Sequence, residues 1–286
     1  MTICEATGNQ RRLDDYLERF GNDGFSEFVY NWFLKENKQG KLIDMCKHVG
    51  KTKNIEKLAT FLSDHPSLSW MQEIFDKKYN QAADTLRKLA TDEAESVTRQ
   101  KTMYSLCKLA KLASGSHDSD DYLRNVEGRL DLISYQEDVP DYVLQQFGYD
   151  TVHIRVISPK DLIHLFICKE YKEAAELEFK KALDLLAFID DEELRQEMSL
   201  KIWRYALLRD MWDHQNLDSP LEILQNKLFF KLVDLAMVLN GDSWNLLPPL
   251  DTLLDDDSLK DFQNNTSFQF LIKAGYEHIY RSQSVE

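Results

Sequence analysis

The sequence predicts an all-α protein, an irregular solenoid-like stack of short antiparallel helices, and three observations carry that expectation. Glycine and proline are scarce, at 10 and 6 of 286 residues. Apolar residues recur three and four positions apart over long segments, the period of a helix with one buried face. Period-two alternation is nearly absent. TVHIRVI at 151–157 is the single strand-like run, and with nothing to pair with it reads as a loop entering a helix.

Taken in order, helices are expected at 10–20, 25–38 and 41–49, separated by GNDG at 21–24 and by Gly40. The next fall at 53–64, 68–79, 80–92 and 95–113. Beyond the polar linker SGSHDSDD come 121–136, 140–147, 159–169, 171–189, 191–213, 219–240, 248–254, 257–262 and 266–281. Ser158–Pro159 and Ser219–Pro220 each place a capping side chain before a proline in the first turn. KKYNQAADTL at 77–86 and KEYKEAAELEF at 169–179 share a lysine, a tyrosine and a double alanine. Paired alanines let one helix approach its neighbour closely, as stacked helices must. No strict period accompanies this echo, so the stack is irregular.

Composition narrows the function. With 43% hydrophobic residues the chain can bury a real core, in one or two domains. The division expected is 1–64 as the end of a preceding helical block and 65–286 as a compact C-terminal helical domain. A net charge of -14 opposes broad association with nucleic-acid phosphates or anionic lipid. Cys4, Cys46, Cys107 and Cys168 form no CxxC pair, which suits free thiols in a reducing compartment. The N-terminus lacks the basic start and apolar run of a signal peptide, and no stretch approaches the roughly 18 apolar residues of a membrane span.

Catalytic chemistry finds no foothold. No two of His48, His65, His117, His153, His164, His214 and His278 stand at the i, i+4 spacing of metal ligands on a helix. Asp255, Asp256 and Asp257 lack the alternating ligands and central glycine of a calcium loop. GxxxxGK[ST] and GxSxG are absent, and no GxGxxG follows a strand. No catalytic, metal-ligating or cofactor-binding residue is nominated, and an enzyme is not expected. Aromatic clusters in GFSEFVYNWFL at 24–34 and IWRYALLRDMW at 202–212 suit either a helical core or a concave groove for short linear peptides. Their helical spacing favours the core.

One stretch asks for a second surface. In KTMYSLCKLAKLASGS, residues 101–116, a helical wheel spreads Leu112, Leu109, Ala113, Leu106, Ala110, Met103 and Cys107 over roughly 220° at about 100° per residue. A helix lying on one core needs little more than about 100° of apolar face. Arg99, Lys101, Lys108 and Lys111 make 96–117 a basic island without acids, which suits an acidic partner. An inner helix enclosed by its own stack, with its lysines reaching out to water, explains the same pattern. Composition alone favours that inner helix.

The blocks FSEFVYNWFLKENKQGKL, LATFLSDHPSLSWMQEIF, RQKTMYSLCKLAKLAS, LIHLFICKEYKEAAELEFKKALDLLAFID and NNTSFQFLIKAGYEHIY occur in collinear order along nearly the whole chain. Together they resemble the C-terminal helical region of the scaffold nucleoporins in the Y-shaped complex of the nuclear pore, FKKALDLL being the most specific block. The resemblance implies an irregular helical stack at the nuclear envelope that serves pore assembly and, through it, mRNA and protein transport. It implies a monomer that forms a heterodimer, tail to tail, with the C-terminal helical domain of a scaffold partner of the nucleoporin one-oh-seven type. The docking helix would correspond to TMYSLCKLAKLA, with Leu106, Lys108 and Leu109 at contact positions and Lys101, Met103 and Lys111 beside them. Nothing in the chain matches the family's N-terminal β-propeller with its membrane-sensing loop, so no direct membrane contact is expected from this region.

Overall fold

The structure, a computed structural model, describes residues 16, 17, 19, 24–36, 38, 42, 54–115, 120–213, 217–240 and 247–283. Among these residues there are fifteen α-helices, two single 3-10 turns and no strand, so the fold is all-α as expected. Residues 151–158 form the loop that the sequence indicated. The helices expected at 10–20 and 41–49 lie almost wholly outside the described residues. The chain divides into two compact units, Met1–Asp131 and Leu132–Glu286.

The first unit contains α1 (Phe25–Lys35), α2 (Asn54–Ser63), α3 (Pro66–Phe75), α4 (Tyr79–Asp92) and α5 (Val97–Ala113). Helix α6 (Asp120–Glu137) starts in the first unit and ends in the second. Val29, Tyr30 and Phe33 of α1 pack with Leu58, Phe61 and Leu62 of α2, the Tyr30 and Phe61 rings 5.1 Å apart. Most of the 24–34 aromatics thus belong to the core, and Phe28 alone of them is largely exposed. Ala82, Ala83, Leu86 and Ala90 present a fully enclosed small-residue face of α4 against which α5 lies.

The second unit holds α7 (Asp141–Gln146), α8 (Pro159–Ile167), α9 (Glu176–Leu185), α10 (Glu192–Arg209), α11 (Pro220–Gln225), α12 (Leu228–Asn240), α13 (Leu250–Leu254), α14 (Lys260–Gln263) and α15 (Thr266–Gln283). Its core gathers Phe166, Phe179, Trp203, Phe229 and Phe268, with Trp203 edge-on to Phe229 at 5.4 Å. Trp203 and Trp212 are both enclosed. Ser158 caps α8 as expected, its hydroxyl accepting from the Asp161 N–H at 3.2 Å ahead of Pro159. Ser219 precedes Pro220 at the start of α11 but makes no side-chain cap.

Two expected helices are interrupted, and in each a remote side chain is the reason. The segment read as one helix at 171–189 becomes helical only at Glu176. The Arg209 guanidinium donates to the carbonyls of Cys168, Tyr171 and Ala174, the last two at 2.8 and 2.9 Å, and holds 168–174 as a turn. Ala175 therefore sits exposed at the N-cap of α9, so only the first alanine pair, Ala82–Ala83, packs inside a helix. The segment read as one helix at 219–240 breaks after Gln225 and restarts at Leu228. There the Asp210 carboxylate accepts from the N–H groups of Leu228 and Phe229 at 2.9 and 3.2 Å, capping α12 from another part of the chain.

Candidate partner-docking surface

Helix α5 starts where the sequence tells it to. Ser96 is its N-cap, with the hydroxyl accepting from the Arg99 N–H at 3.3 Å, and Glu93 accepts from the N–H groups of Glu95 and Ser96. Glu93 also pairs with Arg99 at 3.2 Å. The buried Gln100 amide donates to the carbonyls of Ala90 and Glu93, both at 3.1 Å, satisfying the last turn of α4. These bonds lock the rotation of α5 about its axis.

The locked rotation decides which residues are covered. Val97, Gln100, Tyr104, Cys107 and Ala110 form the buried face. The Tyr104 and Thr91 hydroxyls lie 3.2 Å apart, and the Cys107 thiol lies 3.3 Å from the Tyr122 hydroxyl of α6. Burial raises the pKa of that thiol, so it is a packed, protonated group. The broad apolar arc is thereby split. Cys107 and Ala110 go inward, while Met103 and Leu106 are half-buried and Ala113 is exposed. Leu109 is 63% exposed and Leu112 is 54% exposed. Thr102, Leu106, Leu109 and Ala113 follow one another at i, i+4, i+7 and i+11, a continuous outer stripe with Leu112 beside it.

The lysines frame that stripe and are engaged by their own molecule. Lys108 pairs with Glu127 of α6 at 2.8 Å, both side chains remaining partly exposed. Lys111 donates to the Asn80 side chain at 3.0 Å and lies 4.9 Å from the centre of the Tyr122 ring, which Arg87 approaches at 4.6 Å. Lys101 is half-buried. Of the residues singled out in the sequence, Leu109 is the most exposed, and Leu106, Met103, Lys101, Lys108 and Lys111 are partly covered. Leu112, absent from the contact positions that the resemblance implies, is exposed beside them, and its place in the apolar arc is the sequence signal for it. Glu127 and Asn80 carry no signal in the sequence that would tie them to α5.

A family model described as the non-repetitive/WGA-negative nucleoporin C-terminal matches residues 1–177, a span that includes all of α5. The chain belongs to this nucleoporin family. Among similar nucleoporins is the nuclear pore complex protein Nup133 of Drosophila melanogaster, 35% identical over 277 residues, which are 97% of this chain and 22% of the relative. The Homo sapiens Nup133 is 33% identical over 288 residues, covering 98% of this chain and 24% of the relative. The Arabidopsis thaliana NUP133 is 24% identical over 220 residues, 70% of this chain. The chain thus spans about a quarter of the length of the animal nucleoporins it matches. The resemblance read from its sequence blocks holds at the level of the family. Among the described residues no helix is long and apolar enough to cross a membrane.

Proposed function

We propose that this nucleoporin chain is a structural scaffold of the nuclear pore and that α5 docks tail to tail on the C-terminal helical domain of nucleoporin one-oh-seven in the Y-shaped complex. The observation supporting this reading is the outer stripe of α5. Leu109 and Leu112 stand open to solvent on a helix whose opposite face is sealed. A stripe of leucine and alanine at helical spacing, rimmed by lysines, suits an amphipathic helix of a partner that carries acids at its edge. Leu106 and Leu109 act as the apolar anchors, with Met103 beside them and Lys101, Lys108 and Lys111 along the rim. Because Glu127 already holds Lys108, an acid of the partner shares that ammonium or replaces Glu127.

In this reading residues 65–286 carry the docking function and 1–64 close a preceding block, the chain is a monomer until it meets its partner, and its contribution to mRNA and protein transport runs through pore assembly. A peptide-gripping adaptor that depends on Trp203, Tyr205 or the 25–33 aromatics has less support as the main role of the chain, because Tyr30, Phe33 and Trp203 are enclosed, while Tyr205 is half-buried. Titration calorimetry with the partner's helical domain tests the proposal. Burying one leucine is worth about 1.5–3 kcal/mol and a charge in its place adds a desolvation penalty, so Leu106→Glu or Leu109→Glu should weaken binding at least about tenfold. Helicity and melting temperature should hold. Unchanged affinity, or unfolding of both variants, would overturn the assignment.

A further inference from the structure

The net charge of the chain is borne almost entirely by one of its two units. Leu132–Glu286 contains 28 Asp and Glu against 15 Lys and Arg, a net of -13, whereas Met1–Asp131 contains 21 against 20, a net of -1. The acidic unit also contains an open cavity of about 530 Å³ that the α5 surface does not use. This volume lies within the usual range of ligand pockets, about 300–1,000 Å³.

One side of the cavity is α8, where Asp161, His164 and Leu165 follow at i, i+3 and i+4, continued by Cys168 at the C-cap. Seven residues at about 1.5 Å each make this side about 10 Å long, the reach of about three residues of extended chain. Phe147 and Tyr149 line it from the end of α7, and Tyr205 from α10. The two α7-side rings are placed by a turn that requires glycine. Gly148 has φ 81°, and the Tyr149 N–H donates to the Leu144 carbonyl at 2.9 Å, which reverses the chain just after the helix. Phe147 is left 46% exposed on the rim.

The polar groups of the cavity have a definite sign. Among the lining residues Asp161 stands at one end of the α8 face and Glu170 just beyond the other, against the ammonium of Lys169, while Lys201, Lys160 and Glu197 act on His164 from around the cavity. His164 is neutral at pH 7, because burial first and Lys201 second lower its pKa. We propose that this groove is a docking site for a linear segment of a partner protein that carries lysine or arginine next to a large apolar residue. The apolar side chain lies against Phe147 and Tyr205, and the cations reach Asp161 and Glu170. Aromatic faces beside carboxylates attract a cation twice over, and the -13 charge of the unit draws a basic segment toward it. The two units would then bind partners of opposite charge, the basic island of α5 an acidic one and this groove a basic one. The groove proposal does not depend on the function assigned to α5.

Selection of a display library of randomised decapeptides on the intact chain tests it. The expected outcome is enrichment of Lys or Arg adjacent to Phe, Leu or Met, with the best synthetic peptide losing at least tenfold in affinity on Phe147→Asp or Glu170→Arg by fluorescence anisotropy. Both positions are at least partly exposed, so these variants should melt like the parent. Leu109→Glu should leave peptide binding unchanged. No enrichment, enrichment of acidic peptides, or full binding by the Phe147→Asp and Glu170→Arg variants would overturn the proposal.

Discussion

Cys107 and Leu109 stand two residues apart on α5 and face opposite ways: the thiol is fully enclosed beside Tyr122, and the leucine is 63% exposed. About 200° of helical rotation separates them, so one helix seals a core and offers an apolar edge to another molecule. Their contrast makes stability and binding separable by mutation.

Removing exposed side chains from α5 should hardly affect folding. Leu109→Ala is expected to change unfolding free energy by no more than about 0.5 kcal/mol. Leu86→Ala, at a fully enclosed position of α4, should cost about 2–5 kcal/mol. Urea denaturation of the two variants checks the contrast, and a large loss in Leu109→Ala would mean that the edge is already covered by its own chain.

Gly275 of α15 is in place because Phe230 is. A Cβ at that position would lie 2.2 Å from Cζ of the Phe230 ring and 3.2 Å from Leu224. Alanine gains about 1 kcal/mol in helix propensity over glycine, yet overpacking a core typically costs about 1–3 kcal/mol. Gly275→Ala should therefore lower the melting temperature. Adding Phe230→Leu should recover part of the loss, and a rise in melting temperature for the single variant would contradict the close approach.

Arg209 holds a turn by three carbonyls, and no lysine can repeat that fork. Hydrogen bonds from a charged group are worth about 1.5–3 kcal/mol each before losses elsewhere. Arg209→Lys should raise amide hydrogen exchange across 168–175 while leaving α5 at its parent level. Uniform protection along the chain would show that the turn holds without the guanidinium.

His164 makes stability depend on pH. Burial is the largest cause lowering its pKa, followed by Lys201 and, more weakly, Lys160, while Asp161 and Glu197 act in the opposite sense. The unfolded chain then binds a proton at about pH 6.5 that the folded chain resists. This part of the stability is complete above about pH 6.5 and is lost as pH falls from there toward the folded value. His164→Gln should flatten the decline below about pH 6.5 in urea titrations, and an unaltered slope would assign it to other groups.

Much of the helical framework is legible in the chain because its signals are local. Ser158 and Pro159 announce α8, Gly24 precedes α1, and the 97–113 period shows an apolar surplus that one core cannot absorb. The breaks at 168–175 and 226–227 are not legible, since the side chains that impose them, Arg209 and Asp210, lie tens of positions away or at the end of another helix. The buried face of α5 also turned further than the apolar arc suggests. Tyr104 and Gln100, whose polar atoms find partners on α4, bury as readily as an aliphatic residue.

By itself, the sequence determined an all-helical chain with a basic island on one helix and an excess of acid elsewhere, because helical period, caps and charge are properties of neighbours along the chain. Only the tertiary structure decided which half of the α5 arc stays bare, that Lys108 is held by Glu127, and that α8, Phe147 and Tyr205 enclose a groove. Those outcomes depend on which helices meet and at what rotation. Packing and hydrogen bonds between distant residues choose that rotation together.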